Sequence, residues 1–346
     1  DNAASFVESD RVPLGFDKTN GTVTLPPGLA RSIRAFQEAG CNLVELPERL
    51  GGLGGTPTLH IAGLEMIAGA NPCSAFYLFG TFVARTIDRL GTPEQKGRFV
   101  QRIVDESWGG SMVLTEPDAG SDVGAGTTRA SHVGGDEWHI TGTKRFITNG
   151  DFDGPNNIVH LVLARPEGAG PGTKGLSMFI VPKFWVNEDG SLGERNGAYV
   201  TNLEKKMGIK ASATCEMTFG DGKPARGLLV GGVHDGMRQM FHVIEQARMA
   251  VGVKSMATLS TAYLDFTATS PNGFAAQTLT IAGNGTSANT GVLAAGTSAK
   301  AIAASVNFPP ERIHFHGNNK SEQELQEALD YGVGRIIIDN FHEMQL

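Results

Sequence analysis

The sequence predicts an α+β protein in which helices and strands occupy successive parts of the chain. Apolar residues recur at helical spacing over 1–110 and again after Gly231. Between these parts, short β-like runs alternate with Gly-containing turns, which favours a β-barrel or a sandwich. We therefore predict a helical domain at 1–110, a β-barrel domain at 111–225, and the start of a second helical domain at 226–268.

The first domain carries clear helix signals. Residues 26–39 place their apolar side chains on one helical face. Residues 60–90 suit buried helices, with a break before Pro72 because proline interrupts a helix. A further helix is predicted to start with Thr92 as N-cap and Gln95 closing a capping box.

Short β-like runs make up the predicted barrel, with turns between them at 134–136 and 141–142. The runs are 111–114, 127–133, 137–140, 145–148, 158–164 and 176–181, with more of the same from 200 to 221. After the barrel, apolar residues return to helical spacing up to about residue 266, which predicts the helix that opens the second helical domain.

The end of the chain differs in composition. Residues 269–305 are rich in Gly, Ala, Ser, Thr and Asn and carry almost no charge, which predicts an uncharged linker or junction. In 306–346 we expect a strand at 312–316, a helix opened by a capping box at Ser321, and a second strand at 335–339. This order predicts a short βαβ tail fragment.

Composition excludes several classes of protein. The net charge of -7 and the absence of a basic stripe argue against nucleic-acid binding. Cys41, Cys73 and Cys215 form neither a metal-ligand pattern nor a disulfide framework, so we expect a reducing, cytoplasmic setting and no metal. His314 and His316 share a strand face but lack a third ligand. No apolar run approaches the ~20 residues that span a membrane.

The most informative stretch is 112–122, Met-Val-Leu-Thr-Glu-Pro-Asp-Ala-Gly-Ser-Asp, which is followed at 138–150 by Trp-His-Ile-Thr-Gly-Thr-Lys-Arg-Phe-Ile-Thr-Asn-Gly. Its proline and Gly120 are expected to fix a bend. Such a bend leaves backbone N–H groups and the hydroxyls of Thr115 and Ser121 free to face a cofactor. Residue chemistry alone favours an ordinary hairpin-forming loop.

The order of these residues resembles the flavin-binding signature of the acyl-CoA dehydrogenase family, over about residues 5–266. Three further motifs support the resemblance: Gly-Thr-Pro-Glu-Gln-Lys at 91–96, Lys-Lys-Met-Gly-Ile-Lys at 205–210 and Glu-Gln-Ala-Arg at 245–248. The resemblance implies an FAD-dependent oxidoreductase of fatty-acid metabolism that converts an acyl-CoA to a trans-2-enoyl-CoA. It also implies electron-transferring flavoprotein as the electron acceptor and a homo-oligomeric assembly.

The same resemblance implies roles for individual residues. The residues implied to contact the flavin are Met112, Val113, Leu114, Thr115, Gly120, Ser121, Phe146, Ile147 and Thr148. Ser121, Glu245 and Arg248 are implied to lie near the acyl-CoA. From residue chemistry alone, Phe146 and Ile147 fit a core as well as a cofactor wall, and Glu116 and Asp118 are expected to be solvated.

The catalytic base stays unassigned. Most family members carry it in the last helical domain, which the sequence lacks beyond Phe266, and a minority carry it directly before the arginine, where this chain has Ala247. Glu245 lies two positions away and on a different side of the helix. Two functions therefore stay open, namely an acyl-CoA dehydrogenase and a non-catalytic fragment that binds flavin and acyl-CoA.

The tail has its own resemblance. Residues 307–341 are similar to the barrel domain of diaminopimelate decarboxylases, which use pyridoxal phosphate. The Schiff-base lysine of that family lies upstream of the matched part, and Lys320 in the Gly-Asn-Asn-Lys-Ser turn is not its counterpart. A complete (β/α)₈ barrel needs ~250 residues, so the matched part is too short to close one. A pyridoxal-phosphate decarboxylase fragment, or a chimeric chain with no single function, are further interpretations.

Overall fold

The computed structural model describes residues 2–269 and the short segments 292–294, 314–316, 326, 329–330, 332 and 335–336. Side chains are described up to residue 261 and at 326, 329 and 330. The chain divides into two compact units, Asp1–Thr258 and Leu259–Leu346. The predicted capping box at Ser321, the turn at Lys320 and most of the predicted linker lie outside the described residues.

Helices form the first part of the first unit, as predicted. They are α1 (Asn2–Arg11), α2 (Pro27–Glu38), α3 (Pro57–Ala70), α4 (Pro72–Phe76), α5 (Gly80–Leu90), α6 (Pro93–Gln95) and α7 (Gln101–Asp105). A π-helical segment, Lys96–Val100, joins α6 to α7, and 3₁₀ turns form at Cys41–Leu43 and Glu48–Leu50. A small antiparallel hairpin of β1 (Gly15–Asp17) and β2 (Thr22–Thr24) lies between α1 and α2.

The predicted helix boundaries in this part have identifiable caps. Pro72 ends α3, and the Asn71 side chain accepts a hydrogen bond from the Cys73 N–H at 3.0 Å, which caps α4. The predicted capping box is confirmed at α6. The Thr92 hydroxyl accepts from the Gln95 N–H at 3.3 Å, and the Gln95 side chain accepts from the Thr92 N–H at 3.2 Å.

An eight-stranded sheet follows and forms the predicted β domain. Its strands are β3 (Gly109–Val113), β4 (Arg129–Gly134), β5 (Glu137–Thr148), β6 (Ile158–Pro166), β7 (Ser177–Pro182), β10 (Ala198–Leu203), β11 (Thr214–Phe219) and β12 (Ala225–Leu229). The order is β10-β11-β5-β12-β7-β6-β3, and β4 pairs with both β5 and β6. A separate hairpin consists of β8 (Phe184–Val186) and β9 (Leu192–Arg195).

Strand β6 organises this sheet. One of its edges pairs antiparallel with β7, and the other pairs in parallel with β3 and then with β4. Val113 at the end of β3 lies opposite Val162, and Arg129 at the start of β4 lies opposite Arg165. The segment 114–128 therefore leaves the sheet and returns to it along a single edge of β6.

Both faces of β6 are buried. Ile158 and Val162 belong to one hydrophobic cluster with strands of the barrel interior and α2. Val159 and Leu161 belong to a second cluster that includes side chains of α5 and α7. Since successive side chains of a strand point to opposite faces, β6 joins the two clusters and gives the segment 114–128 a rigid base.

The predicted turn at residues 141–142 is wrong, because β5 is a single strand of 12 residues. Gly142 has a φ of +150°, and a Cβ atom there would lie 2.6 Å from Thr128 Oγ1. A glycine is needed here because β5 passes very close to the residue before β4. It does not reverse the direction of the chain. The neighbouring turn prediction is confirmed, because β4 ends at Gly134 and β5 begins at Glu137.

A long helix, α8 (Gly236–Thr269), follows the barrel. Within residues 2–269, no helix combines the length and the apolar character that a membrane span requires. In the second unit, β13 (Val292–Ala294), β14 (His314–His316) and β15 (Arg335–Ile336) pair in parallel in that order. β14 and β15 fall within the two predicted strands, and β13 falls where the sequence predicts a linker.

Candidate functional site

The segment 114–128 starts with a tight turn. The Glu116 N–H donates to the Ala119 carbonyl at 3.1 Å, and the Ala119 N–H donates back to the Glu116 carbonyl at 3.1 Å. Gly120 follows this turn, so the bend is closed by the Glu116–Ala119 pair and not by the glycine. Thr115 precedes the turn and is half-buried, whereas Ser121 after it is exposed.

The Glu116 carboxylate is buried, so the expectation that it is solvated is wrong. Oε1 accepts hydrogen bonds from Lys144 Nζ at 2.9 Å and from the Thr128 N–H at 3.0 Å. Oε2 accepts from the Thr127 N–H at 2.6 Å. The loop folds back on itself and supplies these donors, whereas Asp118 at the tip of the turn is exposed as expected.

The Glu116–Lys144 ion pair is buried on both sides, with side-chain exposures of 6% and 3%. Burial by itself raises the pKa of Glu116, but the Lys144 ammonium and the Thr127 N–H outweigh this effect. The net result is that the pKa of Glu116 is lowered from 4.5 to about 2. Lys144 Nζ also donates to the Leu114 carbonyl at 3.0 Å. The sequence analysis missed Lys144 as the partner of Glu116, and its neighbours Thr143 and Arg145 give no local signal of a buried charge.

Backbone contacts bring the two predicted halves of the site together. The Arg145 N–H donates to the Thr115 carbonyl at 2.9 Å. With the two bonds of Lys144, this contact fixes the turn against the middle of β5. Thr115 and Phe146, which are far apart in the sequence, therefore lie on adjoining segments.

Phe146 has an unusual backbone conformation. Between Lys144 and Ile147, β5 carries one more residue than β11 opposite, which forms a β-bulge. Phe146 in this bulge has a φ of +60° and is 56% exposed. The left-handed region costs about 1–2 kcal/mol for a bulky residue. A strained backbone that presents an apolar ring outward is a feature that a binding site explains.

Other predicted flavin contacts face the core. The Val113 and Ile147 side chains are 0% and 2% exposed and belong to the barrel cluster. Met112 and Leu114 are partly buried and pack against the second cluster. The interpretation of the Ile147 side chain as part of the core is therefore confirmed. Only the backbone of Ile147 could contact a ligand. Thr148 is half-buried at the end of β5.

Arg165 secures the far end of the loop. Its guanidinium donates to the Gly124 carbonyl at 2.8 Å, and to the Gly172 carbonyl at 3.1 Å in the β6–β7 connection. The Gly170 carbonyl accepts a further bond. The loop is thus held by Lys144 on one side and by Arg165 on the other, and no sequence pattern predicted the contacts of Arg165.

The end of β5 is tied to the helical domain. Asn149 Nδ2 donates to the Phe76 carbonyl at 2.5 Å. The Tyr77 hydroxyl donates to the Ala211 carbonyl at 2.6 Å and accepts from the Ala213 N–H at 2.8 Å. Next to these contacts the helices line a partly open cavity of about 440 Å³. Its apolar lining includes Leu59, Leu64, Ile67, Leu78, Phe79 and Phe82.

The predicted substrate residues lie on α8. Glu245 and Arg248 are both exposed, and Ala247 between them is half-buried. Within residues 2–261, no hydrogen bond or ion pair links either charged side chain to the turn or to β5, so their place beside the substrate stays a prediction. The same described residues contain no group of three His, Cys, Asp or Glu side chains that could hold a metal ion.

Comparison with known proteins agrees with this architecture. Residues 1–107 match the acyl-CoA dehydrogenase N-terminal domain, and residues 111–221 match the acyl-CoA dehydrogenase middle domain. Residues 288–346 match the pyridoxal binding domain of pyridoxal-dependent decarboxylases. These three matches follow the division of the chain into a helical part, a barrel and a distinct tail.

Relatives agree with the first two matches. The chain is 54% identical over 266 residues to the broad-specificity linear acyl-CoA dehydrogenase FadE5 of Mycobacterium tuberculosis, covering 76% of this chain and 43% of that protein. It is 42% identical to a butyryl-CoA dehydrogenase of Syntrophomonas wolfei, covering 58% and 34%. The chain thus spans less than half the length of these curated relatives.

Solved structures share the fold. Butyryl-CoA dehydrogenase from Megasphaera elsdenii superposes with a TM-score of 0.58 at 24% identity, covering 76% of this chain and 63% of that one. Acyl-CoA dehydrogenase from Geobacillus kaustophilus gives 0.59 at 20% identity, covering 80% and 66%. With both of its leading domains matched and the fold shared, the chain belongs to the acyl-CoA dehydrogenase family.

Proposed function

We propose that the first unit binds FAD and an acyl-CoA thioester, for the FAD-dependent α,β-dehydrogenation that yields a trans-2-enoyl-CoA. The observation that carries the proposal is the buried Glu116–Lys144 pair, which holds the turn against the bulged strand that presents Phe146. FAD, when bound, supplies the hydride acceptor. The residues of the chain bind and orient the two ligands.

The residues at the turn fit a flavin. Among the residues that the structure describes, no partner hydrogen-bonds to the hydroxyl of Thr115 or of Ser121, so both are available to the polar edge of a ring system. The exposed Phe146 ring offers an apolar surface beside them. Val113 and Ile147 support this surface from the core. Met112, Leu114, Gly120 and Thr148 complete the proposed contact set.

A second, smaller apolar cavity supports an acyl substrate. It has a volume of about 210 Å³ and lies between α3 and α8, against Ile61, Met249 and Glu245. Each methylene that such a cavity removes from water contributes about 0.8 kcal/mol to binding. We propose that Ser121, Glu245 and Arg248 contact the rest of the acyl-CoA.

A second candidate function is binding without turnover, and Ala247 favours it. A proton acceptor must come within hydrogen-bond reach of the proton that it removes. The methyl group of Ala247 cannot accept a proton at the position directly before Arg248. Glu245 projects from a different side of α8, since residues two apart on a helix do not face the same way.

Anaerobic mixing of the FAD-loaded chain with a saturated acyl-CoA separates the two candidates. Bleaching of the yellow flavin supports the dehydrogenase, whereas an unchanged spectrum with measurable acyl-CoA binding supports the binder. In the second case, Ala247→Glu should restore bleaching, and Ala247→Gln, of nearly equal size, should not. Failure of the chain to retain FAD at all would overturn both candidates.

The proposal includes electron-transferring flavoprotein as the electron acceptor, self-association, and a reducing cytoplasmic setting. Apolar side chains exposed along α8 support self-association, because exposed apolar patches usually mark interaction surfaces. They include Phe241, Met249 and Met256, which are 45–62% exposed. Sedimentation equilibrium of the chain tests self-association, and a monomer at every concentration would contradict it. The three cysteines are all unpaired, which fits a reducing setting.

A further inference from the structure

Two cavities lie side by side in the first unit. The larger, of about 440 Å³, is a partly open cavity that is lined by helices of the N-terminal part and reaches Phe36 and Gly63. The smaller, of about 210 Å³, lies between α3 and α8, against Ile61 and Met249. Three side chains line both cavities. They are His60, Leu64 and Phe82.

The three shared side chains form a wall that is held from both sides. His60 Nε2 lies 3.9 Å from Glu45 Oε2, and Arg85 Nη1 of α5 lies 2.7 Å from Glu45 Oε1. The His60 and Phe82 rings meet edge to face, with centroids 6.5 Å apart. Because these contacts bridge α3 and α5, rotation of either ring would break several of them at once.

Phe82 is further supported from the side of the larger cavity. Its ring packs against Phe79 at a centroid distance of 5.0 Å, and Phe79 packs against Phe76 at 5.7 Å. Leu64 is 7% exposed and belongs to a small apolar cluster with Ala250 of α8. The wall is therefore part of packed structure, and a ligand cannot move it aside without loss of that packing.

The two cavities differ in their relation to α8. Glu245 and Gln246 line the smaller cavity, and both stand just before Arg248. The larger cavity has no lining residue from α8 among those described. A ligand that enters from the α8 side therefore meets the smaller cavity first and the wall second.

We propose that His60, Leu64 and Phe82 form a partition that limits the length of the acyl chain, with the larger cavity as an unused extension behind it. The proposal rests on the proposed function for the identity of the ligand. The wall makes Phe82 a specificity-determining residue. Its removal joins the two cavities into one pocket that accepts a longer straight chain.

The experiment measures dissociation constants of the full chain by calorimetry, for saturated acyl-CoAs of increasing length and for a parallel series of 1-alkanols. In the unmodified chain, affinity should rise about fourfold per methylene and then level off at one length. In Phe82→Ala the levelling should move to longer chains. The affinity for a chain two methylenes beyond the original limit should rise about sixteenfold.

Gly63 provides a matched control. Gly63 lines the larger cavity, and a Cβ atom there meets nothing within 4 Å, so we expect Gly63→Leu to occupy part of that cavity and to improve helix propensity. Gly63→Leu alone should leave the chain-length limit unchanged. Combined with Phe82→Ala, it should cancel the extension. Phe82→Leu, a milder change, should give a smaller extension if Phe82→Ala does not fold.

The outcomes separate the two proposals. An unchanged limit in folded Phe82→Ala and Phe82→Leu chains overturns the partition. A shift of the limit by Gly63→Leu alone overturns it as well, because the unmodified ligand would then already occupy the larger cavity. If the alkanols bind and no acyl-CoA does, the proposed function fails, and the alkanol series still decides whether the partition exists.

Discussion

The substitution Glu116→Gln removes the charge at the centre of the site and leaves Lys144 buried without a counter-ion. Lys144 is 3% exposed in its side chain, so water cannot replace the carboxylate. Removal of one partner of a buried ion pair costs about 3–5 kcal/mol. We therefore expect Glu116→Gln to lower the free energy of unfolding by that amount at neutral pH.

The pH dependence gives an independent magnitude. The pKa of Glu116 lies at about 2 in the folded chain, against an ordinary value of 4.5. At ~1.36 kcal/mol per pKa unit, the lowering corresponds to about 3 kcal/mol. Because the unfolded chain takes up this proton more readily, the stabilisation is complete above about pH 5. It is lost as the pH falls toward 2.

Urea unfolding of the unmodified chain and of Glu116→Gln at a series of pH values between 6.5 and 2 provides the assay. The difference in unfolding free energy between the two chains should shrink by about 3 kcal/mol over this range, because glutamine does not titrate. The double variant Glu116→Gln/Lys144→Met should recover most of the lost stability, since it leaves no buried charge. Parallel pH profiles, or no recovery in the double variant, would refute the reasoning.

Three further substitutions test the geometry of the site. Phe146→Gly should raise the thermal stability of the FAD-free chain, because it relieves about 1 kcal/mol of left-handed backbone strain. It should also weaken FAD binding in a titration. A lower melting temperature of the FAD-free variant would contradict the strain argument. Arg165→Ala should speed FAD release in stopped-flow dilution, because the Gly124 carbonyl loses the hydrogen bond that holds the loop. Arg165→Lys should release FAD at an intermediate rate. Equal release rates in all three chains would show that Arg165 does not hold the loop against FAD. Tyr77→Phe should cost about 1–3 kcal/mol in urea unfolding, because the buried Ala213 N–H loses its acceptor, and an unchanged midpoint would show that another acceptor replaces the hydroxyl.

Local patterns predicted much of the fold, because short-range rules govern helix ends and strand alternation. The capping box at Thr92 and the turn after Gly134 follow from side-chain chemistry within a few residues. The error at Gly142 has the opposite cause. Its role depends on Thr128, which lies beside it only after β4 and β5 have paired. No pattern within the strand distinguishes such a glycine from one in a turn.

The sequence predicted the segments that form the candidate site, but not the side chains that hold those segments in place. The sequence motif pointed to Thr115, Ser121 and Phe146, and the structure brings their segments together. It could not show that Glu116 is buried, because the burial depends on Lys144 in another strand. The partition between the two cavities was equally hidden, since it requires side chains of α3 and α5 to meet at a distance that tertiary packing alone decides.

The pairing of β3 and β4 along one edge of β6 has a consequence for how the family can vary. Val113 and Arg129 lie opposite residues only three positions apart on β6, so the ends of the segment 114–128 are about 10 Å apart. The segment 114–128 thus leaves one edge of β6 and returns to it, and none of its residues takes part in a ladder of the sheet. Its length can change by insertion or deletion while the barrel keeps its register. Proteolytic cleavage between Asp118 and Ala119 would therefore leave every strand pairing of the sheet in place.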